Sequence, residues 1–118
     1  MGEPQGTDAH TGIGAGPIEV IAGWLATNIG ARLVAYAAGM SRAELMRIAH
    51  GEGAEPVADE RLRNLFAVCS YMAVADGAGT AHDFLLEPNE DLEGRAPAEL
   101  LHDGASPERI WLAAVPTF

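Results

Sequence analysis

Lysine is absent. All seven basic residues of the 118-residue chain are Arg, set against 17 Asp and Glu, for a formal net charge of −10. So few cations exclude a protein that grips nucleic acid by charge alone, because that affinity grows with the number of phosphates neutralised. Arg without Lys, in a chain rich in Ala and Gly, reads as coding bias rather than chemistry. Cysteine is almost missing as well. Cys69, the single one, cannot form an internal disulfide, and a zinc site needs more Cys or clustered His. A reduced, cytoplasmic setting is the expectation. No apolar stretch is expected to approach the roughly 18 residues of a membrane span. Residues 1–17 have neither the basic n-region nor the apolar h-region of a secretory signal.

What is present is apolar enough to fold. Hydrophobic residues make up 48% of the chain, which excludes wholesale disorder. The length suits one domain, or two small helical subdomains sharing a core. Charge is unevenly spread. Residues 30–65 carry five Arg against five acids and balance, whereas residues 81–118 carry two Arg against eight acids, a net of −6. The balanced segment remains compatible with DNA binding as part of a dimer, and the acidic one points to a basic protein partner.

Residues 1–17 are Gly-rich without apolar periodicity and are expected to form a disordered tail. Gly12, Gly14 and Gly16 imitate a dinucleotide-binding fingerprint, but neither a preceding strand nor a ribose-binding acid accompanies them. From Ile18 the period turns helical, with Ile18, Ile21, Ala22, Leu25 and Ile29 on one face of a helix over about 18–28. A second helix is expected over 31–38, stopped by Gly39, and a third over 42–50, capped by Ser41 with Glu44 completing a capping box. Gly51, Gly53 and Pro56 read as a loop. A long helix over 59–74 has the apolar stripe Leu62, Leu65, Phe66, Cys69, Met72 and Ala73, so Cys69 is a buried structural thiol. Gly77 and Gly79 are expected to break the chain. Short helices over 80–86, 97–101 and from Pro107 follow, the last with Ile110, Trp111 and Ala114 apolar and Ser106 as its cap. Strand alternation is missing throughout, so the fold class is all-α, with 1–17 as tail, 18–76 as one helical region and 77–118 as a second, smaller one.

The stretch 31–50 meets the demands of a helix-turn-helix. Ala35 is small where two helices cross, Gly39 sits at the tight turn four residues on, Met40 tucks beneath it, and Leu45 and Ile48 pack the second helix back. If the unit reads DNA, the outward face of the second helix supplies the contacts, which makes Ser41, Arg42, Met46 and Arg47 the candidate DNA-binding residues, with His50 further along. Arg61 and Arg63 read as solvated helix charges.

The most specific pattern lies further on: Phe84, Pro88-Asn89, Leu92, Gly94-Arg95, Pro97-Ala98-Glu99-Leu100-Leu101 and Asp103-Gly104. Each residue has a folding reason. Pro88-Asn89 ends a helix and starts a turn, Leu92 pins the loop, Pro97 opens a helix that buries Leu100 and Leu101, and Asp103-Gly104 turns again. In their order and spacing these residues resemble the toxin-binding domain of the Xre/MbcA/ParS-type antitoxins. Together with the upstream helix-turn-helix, the resemblance covers about 18–118. Phe84 departs from it, standing where many relatives have Trp, which keeps the packing and removes an indole N–H. The resemblance implies an antitoxin of a type II toxin-antitoxin system whose partner is a RES-domain, NAD-depleting toxin. It makes Asn89, Arg95, Glu99 and Phe118 the candidate toxin-binding residues.

An enzyme needs convergent reactive groups, and His10, His50, His82 and His102 are scattered without a nucleophile motif near any Ser or Cys. The expectation is therefore a non-enzyme with no cofactor, no metal and no membrane attachment. The resemblance implies that it neutralises its toxin by covering the active-site cleft, and it is expected to regulate its own operon through DNA. A solitary helix-turn-helix transcription regulator is the alternative. A homodimer, or a higher-order complex with toxin, is expected, joined through the 18–28 and 59–74 helices. An aromatic at the chain end, Phe118, is expected to enter the partner while Trp111 packs in the core.

Overall fold

A computed structural model describes residues 16–114, and these fold entirely through helices and turns. The first helix, α1 (Ile18–Leu25), buries Ile18, Ile21, Ala22 and Leu25, the stripe set by their spacing. It does not run on to residue 28 as an α-helix. The chain widens into one π-helical turn, Ala26–Gly30, where Asn28 Nδ2 donates to the Trp24 carbonyl at 2.9 Å, and leaves helical geometry at Gly30. Ile29 stays buried across this turn, so the apolar spacing carries no trace of the extra residue.

Helix α2 (Ala31–Ala38) ends in a left-handed turn at Gly39, φ 73°. The Gly39 N–H donates to Tyr36 O at 3.0 Å and the Met40 N–H to Ala35 O at 2.9 Å, the paired bonds of a Schellman motif. Helix α3 (Arg42–Ala49) follows after one extended residue, Ser41, whose Oγ accepts from the Glu44 N–H at 3.0 Å. The expected bounds of these two helices hold to within a residue.

Helix α4 (Pro56–Asp76) has 21 residues and starts three earlier than its apolar stripe implies. Pro56 belongs to the first turn of the helix rather than to the loop, because its missing N–H is one of the donors a helix start leaves unpaired anyway. Only Gly77 separates α4 from α5 (Ala78–Leu86), and Gly79 lies inside α5. Thr80 Oγ1 donates to Asp76 O at 3.1 Å and so satisfies a carbonyl left over at the end of α4. A single 3₁₀ turn (Glu90–Leu92), α6 (Pro97–His102) and α7 (Pro107–Ala114) complete the described chain.

The buried residues form one cluster that draws on both sides of residue 77: Leu25, Val34, Leu45, Leu62, Leu65 and Val68 on one side, Leu85, Leu92, Leu100 and Ile110 on the other. Helix α4 runs through its centre and packs against α1, α2, α5 and α7, while α1 lies on α3 and α2 on α6. Each large aliphatic side chain so buried contributes about 1.5–3 kcal/mol. The stripe expected on α4 is filled by Leu62, Leu65, Cys69 and Met72. Phe66 is half-buried, set edge-on to Trp24 with ring centroids 5.4 Å apart, and Val68 joins the core from the flank.

One expectation is corrected. Ile18–Ala38 spans 21 residues with a mean hydropathy of 1.3, long and apolar enough by composition to cross a membrane. In the fold this stretch bends at Gly30 into two helices, and Ile21, Leu25, Ile29 and Val34 are buried against the rest of the chain while Val20 is exposed.

Candidate functional site

The seven Arg divide by what they touch. Four are held within the chain. Arg63 pairs with Asp59 at 2.6 Å and donates to Gly16 O at 2.8 Å. Arg61 donates to His102 O at 2.8 Å, Arg95 pairs with Asp103 at 2.6 Å, and Arg109 lies 3.9 Å from Glu93. Arg61 and Arg63 are thus structural groups rather than free solvated charges. Arg32, Arg42 and Arg47 have neither an ion pair nor a hydrogen bond among the described residues, and all three stand on α2 and α3.

That places the candidate DNA-binding residues. Ser41, Arg42 and Arg47 are exposed and Met46 is half-buried, while Leu45 and Ile48 face inward. Ser41 spends one lone pair of its Oγ on the α3 cap, and its hydroxyl retains the proton and a second lone pair for an outside partner. Two guanidinium groups, at the first and sixth residues of α3, are the free cationic atoms of this face.

Three of the four candidate toxin-binding residues, Asn89, Arg95 and Glu99, fall together in one compact turn. Asn89 and Arg95 face each other as an isolated antiparallel bridge: the Asn89 N–H donates to Arg95 O at 3.1 Å and the Gly94 N–H to Asn89 O at 2.9 Å. Asn89 Oδ1 accepts from the Asp91 N–H at 2.8 Å and starts the 3₁₀ turn. Glu99 Oε1 accepts from the Ala96 N–H at 3.3 Å and lies 3.7 Å from Arg95 Nε, so it fastens the start of α6. Arg95 is clasped from its other side by Asp103, whose carboxyl is held below its ordinary range chiefly by that hydrogen bond, while the Arg95 guanidinium is pushed further up. Asn89, Arg95 and Glu99 therefore build the turn, and what the turn displays is its acids. Glu87, Glu90 and Asp91 are exposed, and their carboxylates make no ion pair among the described residues. Phe118 and the side chain of Trp111 lie outside the described residues, as do residues 1–15 of the tail expected over 1–17.

Two contacts that spacing does not announce join this turn to the α2–α3 hairpin. The Tyr36 and His102 rings stack with centroids 4.5 Å apart and planes 2° from parallel, and His102 Nδ1 lies 2.8 Å from Tyr36 O. A carbonyl only accepts, so Nδ1 carries the proton. Arg61 reaches between two left-handed glycine turns. A β-carbon on Gly39 would stand 2.8 Å from Arg61 Nη1, and one on Gly104, φ 96°, would stand 3.4 Å from Nη2. Tyr36 and His102 are 66 residues apart in sequence, and no local signal pairs them. The Gly39 and Gly104 turns were legible; that one guanidinium sits on both was not.

Cys69 is fully buried, and burial pushes its thiol up to about 12, which makes it inert as nucleophile or ligand at neutral pH. Among the described residues, His, Cys, Asp and Glu side chains do not gather into a group of three that would hold a metal ion.

The fold defines an all-α protein. Compared with known proteins, the chain matches no family model, no curated protein and no solved structure.

Proposed function

We propose that this protein is a non-enzymatic cytoplasmic antitoxin that binds a RES-domain toxin through the 77–118 region and regulates its own operon through the α2–α3 hairpin. The single observation that carries the reading is the turn over 87–103. The residues of the antitoxin resemblance lock one another into a scaffold, and that scaffold presents three carboxylates, Glu87, Glu90 and Asp91, without partners among the described residues. A cleft that admits a dinucleotide is lined by cations for its phosphates, and a preformed acidic projection complements it in charge and at little entropic cost. Inhibition is steric: the projection occupies the mouth of the cleft and keeps the nucleotide out.

Asn89, Arg95 and Glu99 then serve the toxin by holding the projection in shape. On the other face, Arg42 and Arg47 meet guanine edges or phosphates from the exposed side of α3, after the manner of a helix-turn-helix. Binding by the free protein is weak, because the whole chain carries −10. The segregation to α2 and α3 of the three Arg that lack a partner among the described residues favours the second reading too, a regulator that binds DNA without a toxin.

The experiment is co-expression with the RES-domain protein of the neighbouring reading frame, reading growth and cellular NAD. Restored NAD that is lost again in the triple variant Glu87→Gln, Glu90→Gln, Asp91→Gln supports the antitoxin. If the neighbouring frame encodes no such protein, or the chain leaves NAD depletion untouched, while a promoter fragment still shifts in a mobility assay and ceases to shift with Arg42→Ala and Arg47→Ala, the solitary regulator replaces it.

A further inference from the structure

The apolar faces expected to join two copies are spent. Ile18, Ile21 and Leu25 on α1, and Leu62, Leu65, Val68 and Met72 on α4, all lie in the chain's own core. An apolar surface survives elsewhere. Helices α2 and α5 both pack on the π-helical turn Ala26–Gly30 rather than on each other, which leaves a groove of about 620 Å³ between them. Ile29 of that turn and Leu33 form its floor, and Tyr36 and Leu86, 45% and 52% exposed, form its edges. A π-helical turn is rare in proteins and frequently marks a functional site.

The polar side chains of the groove are Arg32, Tyr36 and His82, and each can donate a hydrogen bond. In a chain with 17 Asp and Glu, none of the described residues lining this groove is acidic. Asp83, the neighbour of His82, is turned to its Nδ1 at 3.3 Å, so Nε2 is the ring nitrogen left over. Arg32, exposed in the first turn of α2, has no partner among the described residues. Tyr36 lays one ring face flat on His102, with centroids 4.5 Å apart, which holds the wall it forms in place.

We propose that this groove binds a free medium-chain fatty carboxylate, with the alkyl chain laid over Ile29, Leu33 and Leu86 and the carboxylate on the Arg32 guanidinium. Its volume falls within the roughly 300–1,000 Å³ of small-molecule sites, and a concave apolar floor takes a slender convex occupant. A guanidinium offers a carboxylate two parallel N–H donors, which orients the head group as well as attracting it. Other small ligands fit the lining less well. A polyphosphate needs several fixed cations, and Arg32 is the single permanent one among the described residues that line the groove. A neutral hydrocarbon leaves the guanidinium unanswered, and a cationic amphiphile meets it as a like charge.

The charge of the whole chain makes the preference diagnostic. A surface at −10 attracts cationic amphiphiles and repels anionic ones wherever a specific site does not intervene. Selectivity for a carboxylate therefore has to come from the groove.

This site needs neither toxin nor DNA, so its test stands apart from that of the proposed function. The full, isotope-labelled chain is titrated by NMR with sodium decanoate to about 5 mM, enough to saturate the roughly millimolar binding that so small a ligand achieves. Saturable shifts confined to Leu33, Tyr36, His82 and Leu86 are expected. Octanoate should bind about fourfold more weakly, since two methylenes that an open groove half-covers are gone. Decylammonium should shift the same resonances far less. Arg32→Gln, exposed and therefore neutral to the fold by circular dichroism, should weaken decanoate about threefold. A titration without localised shifts overturns the proposal. So do shifts that decylammonium reproduces at equal concentration, the mark of indiscriminate amphiphile uptake, or decanoate binding that Arg32→Gln leaves intact. Shifts with phosphatidylglycerol vesicles but not with free decanoate would give the groove to a membrane surface, and shifts with the RES-domain toxin alone would give it to the toxin.

Discussion

Arg61 reaches across the Gly39 turn to the end of α6, where its Nη1 donates to the carbonyl of His102 at 2.8 Å. The two left-handed turns beneath it, at Gly39 and Gly104, close helices that are distant in sequence, and one cation satisfies the carbonyls that α6 leaves over. The hairpin that carries Arg32, Arg42 and Arg47 and the acidic turn that carries Glu87, Glu90 and Asp91 are thereby parts of one body.

The glycine turn gives the first test. Gly39→Ala must adopt φ 73° with a β-carbon, which costs about 1–2 kcal/mol, and must also push the Arg61 guanidinium aside. The backbone part dominates, since the group in the way is the far end of a flexible side chain. In urea unfolding, Gly39→Ala should therefore destabilise nearly as much in an Arg61→Ala background as alone. A loss that vanishes in that background would show that the steric clash, and not the left-handed backbone, governs the position.

A shared core predicts shared unfolding. Leu85 is fully buried in the 77–118 segment, yet it packs in the same cluster as Leu25 and Leu65. Leu85→Ala should cost about 2–5 kcal/mol. The fluorescence of Trp24, in α1, should then melt together with the helical circular dichroism in one transition. Separate transitions would mean that the two segments unfold as independent units.

The Arg95–Asp103 clasp is exposed on both sides and reports through titration more than through stability. Asp103 has its carboxyl lowered from the ordinary 3.8 by the Arg95 hydrogen bond. Its contribution is therefore present above that ordinary value and is lost as pH falls through the lower, folded one. Carbon-detected NMR should place the Asp103 midpoint below 3.8 in the wild type and return it to the ordinary range in Arg95→Ala. Salt should shift it the same way.

Cys69 behaves oppositely. Burial lifts its thiol from 9.0 to about 12, so the folded state keeps the proton that the unfolded state gives up. Its contribution is complete below pH 9 and is lost as pH rises from there through about 12. Between pH 8 and pH 10 the wild type should lose on the order of 1 kcal/mol more than Cys69→Ala, the difference isolating the thiol from the tyrosines. Iodoacetamide at neutral pH should label Cys69 only as fast as the chain opens, and labelling at the rate of a free thiol would contradict its burial.

The all-α class, most helix bounds and most of the core were legible in the sequence, because each rests on interactions within a few residues. Ile18, Ile21, Ala22 and Leu25 share a face by the helical period alone. Ser41 finds the N–H of Glu44 three residues on, and Gly39 takes a backbone conformation that a β-carbon opposes. The π-helical turn escaped because Leu25 and Ile29 keep apolar spacing across it, and the early start of α4 because Pro56 fits a loop and a first helical turn equally.

Tertiary structure alone decided which charges are free. A guanidinium looks the same in the sequence whether it is to meet solvent, a carboxylate or a helix end. Arg61 and Arg95 are consumed at His102 and Asp103, whereas Arg32, Arg42 and Arg47 are left over among the described residues. It likewise placed Asn89 and Glu99, the candidates named from the resemblance, at the fastenings of one turn, and brought Tyr36 onto His102. The physical reason is range. Helix formation and capping are settled over three or four residues, whereas the partner of a long charged side chain is whatever the folded chain happens to carry past it.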